Sequence, residues 1–194
     1  MTAPNQPRLD QVDWSKIPTP SDDGGARHLA GWTLPDIALP ATDGTQVSLA
    51  GLAGRSIVFI YPRTGVPGQI GLVDDWDQIP GARGCTPQSC AFRDLFAELQ
   101  AAGARRVFGL STQDRAYQRE AARRLHLPFA ILSDEGMALS RALGLPTMVV
   151  AGLTLLKRMA WVIDAGCIRH VFYPVFPPDR NAADVLAWLK AHPA

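Results

Sequence analysis

The sequence predicts an α/β fold with a mixed central sheet flanked by helices. Three observations favour this class. The run SIVFIY at 56–61 is typical of a strand buried on both faces. Helix-like and strand-like segments alternate over 90–144, and two strand-length segments at 155–175 precede an amphipathic helix at 181–192. The 194 residues suffice for one domain with a buried core.

The beginning of the chain differs in composition from the rest. It is rich in Pro, Asp and Gly, and the run PTPSDDGGARHLAG is typical of an extended segment. We therefore expect an N-terminal arm over residues 1–30, which either wraps the domain or remains mobile. The domain itself is expected to cover residues 31–194, with no internal repeat.

The domain is expected to begin with a hairpin, because Asp43-Gly44 lies between two alternating segments in IALPATDGTQVSL. The buried strand at 56–61 follows, and Pro62 ends it. A loop rich in Gly and Pro then runs to residue 84. Loops of this length in compact domains are usually functional or disordered.

A helix is predicted over 90–103, because Phe92, Phe96 and Leu99 share one face and Gly103 closes it. The remaining predicted elements are a strand at 105–111, a helix at 114–126, a strand at 129–133, a helix at 134–144, strands at 155–164 and 167–175, and a helix at 181–192. An early hairpin, a β-α-β-α-β run and a late β-β-α order are typical of a thioredoxin-like fold.

The charge of the chain argues against two classes of partner. Lys and Arg together number 19 and Asp and Glu 18, whereas a general nucleic-acid binder or a membrane-surface protein needs a basic excess. The first twenty residues contain no apolar run typical of a signal peptide, and no stretch resembles a membrane span. We therefore expect a cytoplasmic location. In that reducing compartment a close cysteine pair is more often catalytic or metal-binding than structural.

The stretch GARGCTPQSCAFRD contains the close pair, Cys85 and Cys90. Pro87 favours a helix that begins near Cys85, because proline is tolerated in the first turn. The free N–H groups and the helix dipole at such a position favour a thiolate, which is a nucleophile at neutral pH. The alternative for Cys85 is a buried structural cysteine, which its place after a long loop makes less favoured.

The spacing of the pair has a mechanical consequence. Five residues of helix give a rise of about 7.5 Å and a rotation of about 140°, whereas a disulfide needs Cα atoms within about 7 Å. A bond between Cys85 and Cys90 would therefore require the first turns to unwind. The alternative is that Cys90 is only a small helix residue. With Cys167 far away and no histidine at ligand spacing, no metal site is expected.

Four segments together resemble the peroxiredoxins of the alkyl hydroperoxide reductase and thiol-specific antioxidant superfamily, most closely the bacterioferritin comigratory protein subgroup. They are LPDIALPATDGTQVSLAGLAGRSIVFIYP, GCTPQSCAFRD, FGLSTQDRAYQREAARRLHLPFAILSD and KRMAWVID. The resemblance extends over nearly everything after residue 30. It implies a thiol-dependent peroxidase that reduces hydrogen peroxide or organic hydroperoxides without metal, haem or flavin, is recycled by a thioredoxin- or glutaredoxin-like dithiol, and is a monomer or homodimer.

The resemblance also assigns roles. Cys85 would be the peroxidatic cysteine that becomes a sulfenic acid, and Cys90 the resolving cysteine that forms an intramolecular disulfide with it. Arg158 would hold the thiolate and polarise the peroxide, because its guanidinium is permanently charged and offers several donors. Lys157 would face the opposite side of a regular strand, so a register shift would exchange the two.

One feature departs from the family pattern PxxxTxxC, because the threonine position holds Ala82 and an extra segment lengthens the loop. The residues that remain candidates for binding the substrate are Pro62, Thr64, Arg83, Gly84 and Thr86. Two alternatives to a peroxidase follow. One is an oxidoreductase acting on protein thiols, and the other is a redox-sensing or scaffold module that docks through the acidic loop segment DDWD.

Overall fold

A computed structural model describes residues 12–68 and 71–193. Its strands are β1 (Ala38–Pro40), β2 (Gln46–Ser48), β3 (Arg55–Ile60), β4 (Arg106–Ser111), β5 (Ile131–Ser133), β6 (Thr147–Val150), β7 (Leu153–Leu156), β8 (Met159–Asp164) and β9 (Cys167–Phe172). Its α-helices are α1 (Cys85–Asp94), α2 (Phe96–Ala101), α3 (Arg115–Arg124), α4 (Ala138–Leu143) and α5 (Asn181–Ala191).

The central sheet has the strand order β5-β4-β3-β8-β9. Strands β3, β4 and β5 run parallel, whereas β8 and β9 pair antiparallel. All six residues of β3 are buried because both faces of the sheet are covered. Val58 and Ile60 enter one apolar cluster, and Ile57 and Phe59 enter the other. The predicted mixed α/β class and the doubly buried strand are confirmed.

The predicted hairpin is also confirmed, with β1 and β2 pairing antiparallel on either side of Asp43-Gly44. The helix expected over 90–103 is instead two helices, α1 and α2, because the backbone leaves the α-helical region at Leu95, with φ −99° and ψ 12°. The apolar face is retained, since Phe92 and Leu99 are fully buried.

The prediction of a single strand over 155–164 is wrong. Strand β7 pairs with β6 in a separate two-stranded sheet, whereas β8 belongs to the central sheet. The chain changes sheet at Lys157, whose backbone N–H donates to the carbonyl of Pro146 at 2.9 Å. A turn at Ala151-Gly152, with φ of 49° and 78°, closes the additional hairpin. The other predicted elements are present with shorter bounds.

The described part of the arm, residues 12–30, packs on the domain. Asp13 caps a short 3-10 turn at Trp14–Lys16, and Ala26 and Leu29 enter a core cluster. The first eleven residues of the predicted arm lie outside the described residues. Within the described ranges, no helix combines the length and apolar character needed to cross a membrane.

Candidate active site

Cys85 is the first residue of α1, as the sequence predicts, and it is 4% exposed. Gly84 precedes it with φ 106°, a backbone conformation that favours glycine. A Cβ atom on Gly84 would lie 2.5 Å from Cγ of Pro178 and 2.8 Å from the Trp14 ring. Only glycine therefore fits between the arm, the segment before α5 and the start of the active-site helix.

Arg158 lies at the junction between β7 and β8, and only 2% of it is exposed. Its Nη2 lies 3.3 Å from Cys85 Sγ, and its Nη1 donates to Gln88 Oε1 at 2.5 Å. Lys157 points elsewhere, to Asp23 at 2.5 Å. Arg158 and Lys157 therefore point to different sides, as the sequence predicts, although they lie at a break between two strands and not within one.

The Arg158 guanidinium also fixes the end of the long loop. Its Nη2 approaches the carbonyl oxygens of Gly81, Ala82 and Arg83 at 3.2, 3.1 and 3.0 Å. Successive carbonyls converge on one nitrogen because the chain curls tightly before α1. The same group that approaches the sulfur thus holds the backbone leading to it.

Arg158 has no carboxylate partner among the residues that the structure describes. Its Nε is buried and has no hydrogen-bond partner within the described ranges. A buried cation without a counter-charge is unfavourable, because desolvation costs several kcal/mol. A thiolate on Cys85 would supply the missing negative charge, and an acceptor such as a peroxide oxygen would satisfy an unpaired N–H donor.

Two further residues of this network were not singled out from the sequence. Gln88, fully buried, accepts from Arg158 and donates through Nε2 to Oδ1 of Asn181 at 2.8 Å. Gln88 lies three residues after Cys85, so a helical spacing places both on one face. That spacing was the available signal for Gln88. Asn181 comes from α5, and nothing local indicates that it reaches the site.

The position of the absent threonine is occupied by the fully buried Ala82. Its carbonyl oxygen lies 3.6 Å from Cys85 Sγ. Thr64 does not replace the hydroxyl, because its Oγ1 donates to Gln113 Oε1 at 3.1 Å and its N–H to the same atom at 2.9 Å. Thr86 is half-buried in the first turn of α1. In the described part of the chain, no side-chain hydroxyl is hydrogen-bonded to the sulfur.

Two other candidate residues take different places. Arg83 directs its guanidinium to Asp77, with Nη1 2.9 Å from both carboxylate oxygens, so its charge is paired within the loop. Only its carbonyl joins the site. Pro62 is buried and lies two residues after the end of β3. Asp77 belongs to the acidic segment DDWD, so Arg83 of the same loop neutralises part of the negative charge of that segment.

Cys90 lies in the second turn of the same unbroken helix and is half-buried. Burial raises the pKa of its thiol above the ordinary value. Both cysteines are free thiols. The helix is intact here, and the spacing of Cys85 and Cys90 predicts that the two thiols cannot form a disulfide while it remains so.

A family model described as Redoxin matches residues 29–186. The chain belongs to the redoxin family. Chloroplastic peroxiredoxin Q of Oryza sativa subsp. japonica is 32% identical over 163 residues, which are 83% of this chain and 66% of that relative, just under two thirds of its length.

Two solved structures are similar over nearly their whole length. They are the peroxidoxin BcpB from Mycobacterium tuberculosis (TM-score 0.67, 27% identity, 85% of this chain and 98% of that one) and peroxiredoxin Q from Xanthomonas campestris (TM-score 0.66, 26% identity, 84% and 98%). The thioredoxin-like fold is confirmed. So is the resemblance noted from the sequence, to a peroxiredoxin of the bacterioferritin comigratory protein subgroup.

Proposed function

We propose that the protein is a thiol-dependent peroxidase that reduces hydrogen peroxide or organic hydroperoxides. The observation that carries this proposal is the 3.3 Å approach of the Arg158 guanidinium to Cys85 Sγ, in a buried position where Arg158 has no carboxylate partner among the described residues. Similarity to peroxiredoxin Q proteins supports it.

In the first step the Cys85 thiolate attacks one peroxide oxygen. The S–O bond forms as the O–O bond breaks, the sulfur is oxidised to a sulfenic acid, and the second oxygen leaves as water or alcohol after taking up a proton. Arg158 would stabilise the charge that develops on the leaving oxygen, because a fixed guanidinium in a dry site needs little reorganisation. Because Ala82 has no hydroxyl, the guanidinium would stabilise this charge without help from a side chain at position 82.

In the second step the Cys90 thiol attacks the sulfenic sulfur, an S–S bond forms and water leaves. This redox-active disulfide requires the first turns of α1 to unwind. An external dithiol of the thioredoxin or glutaredoxin type would then supply two electrons and two protons to restore both thiols. Such recycling fits a reducing compartment, so we place the protein in the cytoplasm, as a monomer or homodimer.

The catalytic unit in this proposal is the domain over residues 31–194, and the arm predicted over residues 1–30 is described from residue 12 onward. The described part of the arm contributes to the surroundings of the site through the Trp14 ring at Gly84. The roles of Cys85, Cys90 and Arg158 belong to this proposal, while Gly84 shapes the backbone before the nucleophile.

The test is peroxide consumption by the reduced protein in stopped flow, compared with the Cys85→Ser variant. We expect the wild-type protein to react far faster than free cysteine and the variant to show no turnover. A wild-type rate equal to that of free cysteine would reject the peroxidase. The hydroxyl lost at Ala82 would then favour the second candidate, a redox-sensing or thiol–disulfide exchange module, which predicts rapid exchange with protein disulfides instead.

A further inference from the structure

The Cys90 thiol lies among arginine side chains that come from separate segments of the chain. Arg93 is three residues further along α1, a helical spacing that places the two side chains on one face. Its Nη1 donates to the carbonyl of Leu125, directly after α3, at 2.8 Å. Arg124, the last residue of α3, directs its Nη2 to the carbonyl of Gly65 in the long loop at 3.0 Å. The two helices and the loop thus meet beside Cys90.

Two more arginines extend this cationic region. The Arg63 guanidinium carbon lies 5.0 Å from the centroid of the Tyr117 ring, in the first half of α3. Tyr117 and Arg124 are seven residues apart, so they lie on the same flank of the helix, which faces the loop. Arg123 is exposed in the last turn of α3. We call Arg63, Arg93, Arg123 and Arg124 the arginine surface.

The arginine surface carries more positive charge than its carboxylate neighbours offset. Arg93 pairs with Asp94 and Arg124 pairs with Glu120, each through a contact of 2.8 Å. The other two guanidiniums have no carboxylate partner among the residues that the structure describes. The whole chain, by contrast, has 19 basic and 18 acidic residues and is nearly balanced. The excess of positive charge near Cys90 is therefore local.

These charges also act on the Cys90 sulfur. Burial is the largest influence and raises the pKa of the thiol, whereas Arg93 and Arg124 lower the pKa and Asp94 raises it. In disulfide exchange a thiol of lower pKa is the better leaving group. The arginines beside Cys90 therefore favour its departure as a thiolate when a disulfide that includes it is reduced.

We propose that the arginine surface docks the dithiol protein that recycles the enzyme, and that it selects a partner with an acidic surface around its dithiol. The inference rests on the proposed peroxidase function and names the charge class of its reductant. Opposite potentials steer such a partner toward Cys90 and fix its orientation. Arg63, Arg123 and Arg124 lie outside α1, so their charges remain in place when the first turns of that helix unwind.

The exchange at this surface takes two steps. A partner thiolate attacks Cys90 Sγ, because Cys90 is half-buried whereas Cys85 is only 4% exposed. A mixed disulfide forms, the Cys85–Cys90 bond breaks and Cys85 leaves as a thiolate. The second partner thiol then attacks the partner's sulfur in the mixed disulfide, and Cys90 leaves as a thiolate that takes up a proton. The partner is oxidised to a disulfide and gives up two electrons and its two thiol protons.

The experiment measures second-order rate constants for reduction of the Cys85–Cys90 disulfide. Diamide forms this bond by accepting two electrons and two protons from the thiols, in a Cys167→Ser background. The reductants are two thioredoxins of opposite net charge and dithiothreitol, which is small and uncharged. In the double variant Arg63→Glu, Arg123→Glu we expect the rate with the negatively charged thioredoxin to fall about tenfold at low salt, the lower end of electrostatic steering effects. The rate with dithiothreitol should not change.

Arg169→Glu is the matched control and should react like the wild type. Arg169 is exposed, lies on β9 at the opposite edge of the central sheet from β5, and has no carboxylate partner in the described part of the chain. At about 1 M salt, where charges interact over only about 3 Å, the difference between wild type and double variant should disappear. If the double variant does not fold, Arg123→Glu alone replaces it, with an expected fall of about threefold.

Several outcomes overturn the docking surface. One is a negatively charged thioredoxin that is no faster than the positively charged one at low salt. A second is an equal fall with dithiothreitol, which would place the effect in the exchange chemistry. A third is an equal fall in Arg169→Glu, which would make it an effect of net charge. A labelled nucleic-acid duplex that binds the wild type but not the double variant, with unchanged thioredoxin rates, would assign the surface to nucleic acid instead.

The design separates failure of the docking surface from failure of the peroxidase, because the disulfide is made without peroxide. The expected rates in a protein that consumes no peroxide would reject the proposed function and retain the docking surface. Rapid peroxide turnover with thioredoxin rates that do not depend on charge would retain the function and reject the docking surface. If diamide forms no Cys85–Cys90 bond, the docking proposal fails together with the resolving role of Cys90.

Discussion

The first and second turns of α1 contain one cysteine each, in contrasting surroundings. Cys85 in the first turn is buried and lies 3.3 Å from a guanidinium. Cys90 in the second turn is half-buried, and burial raises the pKa of its thiol. The guanidinium beside Cys85 has no carboxylate partner among the described residues, whereas Arg93 near Cys90 is paired with Asp94. In the proposed mechanism this difference in environment, rather than the residue type, distinguishes the nucleophile from its partner.

The two turns also differ in how they are held. The start of the helix is fixed by Arg158 at three loop carbonyls and by the Trp14 ring and Pro178 at Gly84. In the proposed mechanism these contacts would favour the geometry for attack on a peroxide and oppose the unwinding that would bring the sulfurs together. The first turn would then favour the oxidation step at the expense of the resolving step.

The largest expected effect separates the two cysteines. In Cys90→Ser we expect one rapid peroxide reduction per molecule and then a fall in steady-state turnover of about 100-fold or more, because the sulfenic acid has no internal thiol to attack it. Cys167→Ser is the control and should recycle normally. Rapid-quench peroxide assays with a thioredoxin-type reductant measure both phases. Undiminished steady-state recycling in Cys90→Ser would remove Cys90 from the mechanism.

The next effect tests the charge beside the first sulfur. In Arg158→Gln we expect the rate of sulfenic acid formation to fall about 100-fold, which is typical for loss of one preorganised electrostatic donor. Arg158→Lys keeps the charge without the planar fork and should be intermediate. Single-turnover oxidation, followed by trapping of the sulfenic acid, measures the rate. Equal rates in the wild type and Arg158→Gln would show that the guanidinium only supports the loop.

Local sequence patterns were sufficient for the parts of the molecule that depend on short-range physics. The buried run at 56–61, the Asp43-Gly44 hairpin and the helix start at Cys85 each follow from a few neighbouring residues. The β6–β7 hairpin was missed because the end of β7 was joined to β8 in one predicted strand over 155–164, and only Ala151-Gly152 marks the turn. That pattern was present but weak.

The interior of the site was predicted less well, since it depends on contacts between distant segments. The resemblance to peroxiredoxins indicated Arg158, but not that its guanidinium would hold three carbonyls of the lengthened loop. Arg83, a candidate for binding the substrate, instead directs its guanidinium to Asp77. The Trp14 contact at Gly84 joins residues seventy positions apart, which no local pattern encodes.

A smaller effect tests the restraint on the first turn. Trp14→Ala removes the ring from Gly84 together with the 2.7 Å hydrogen bond to Asp179. If unwinding becomes easier by about 1 kcal/mol, disulfide formation should accelerate about fivefold. Trp32→Ala is the control, because Trp32 is 42% exposed and instead packs edge-to-face against His28. Mass spectrometry distinguishes the sulfenic acid from the disulfide and measures the rate of disulfide formation without relying on tryptophan fluorescence. Slower or unchanged resolution in Trp14→Ala would show that the arm does not restrain the helix.

The smallest effect concerns the anchor of the arm beside Arg158. The pKa of the Asp23 carboxyl lies below its ordinary value. The main cause is the hydrogen bond from Lys157, and the hydrogen bond from Tyr173 is the second cause. A lowered pKa in the folded state stabilises the fold above about pH 4, where an unfolded aspartate is also ionised, and this stabilisation is lost as the pH falls further. The side chain is 38% exposed, so solvent screening limits the contribution to about 1 kcal/mol or less.

We therefore expect Asp23→Asn to unfold at slightly lower urea concentration than the wild type at pH 7, with the difference shrinking as the pH falls below about 4. Asp22→Asn is the matched control, because Asp22 accepts from the Gly24 N–H and not from Lys157 or Tyr173. A difference between wild type and Asp23→Asn that stays constant with pH would mean that the anchor is steric rather than ionic. The contact of the arm with Lys157 and Tyr173 would then depend on packing and not on the ionisation of Asp23.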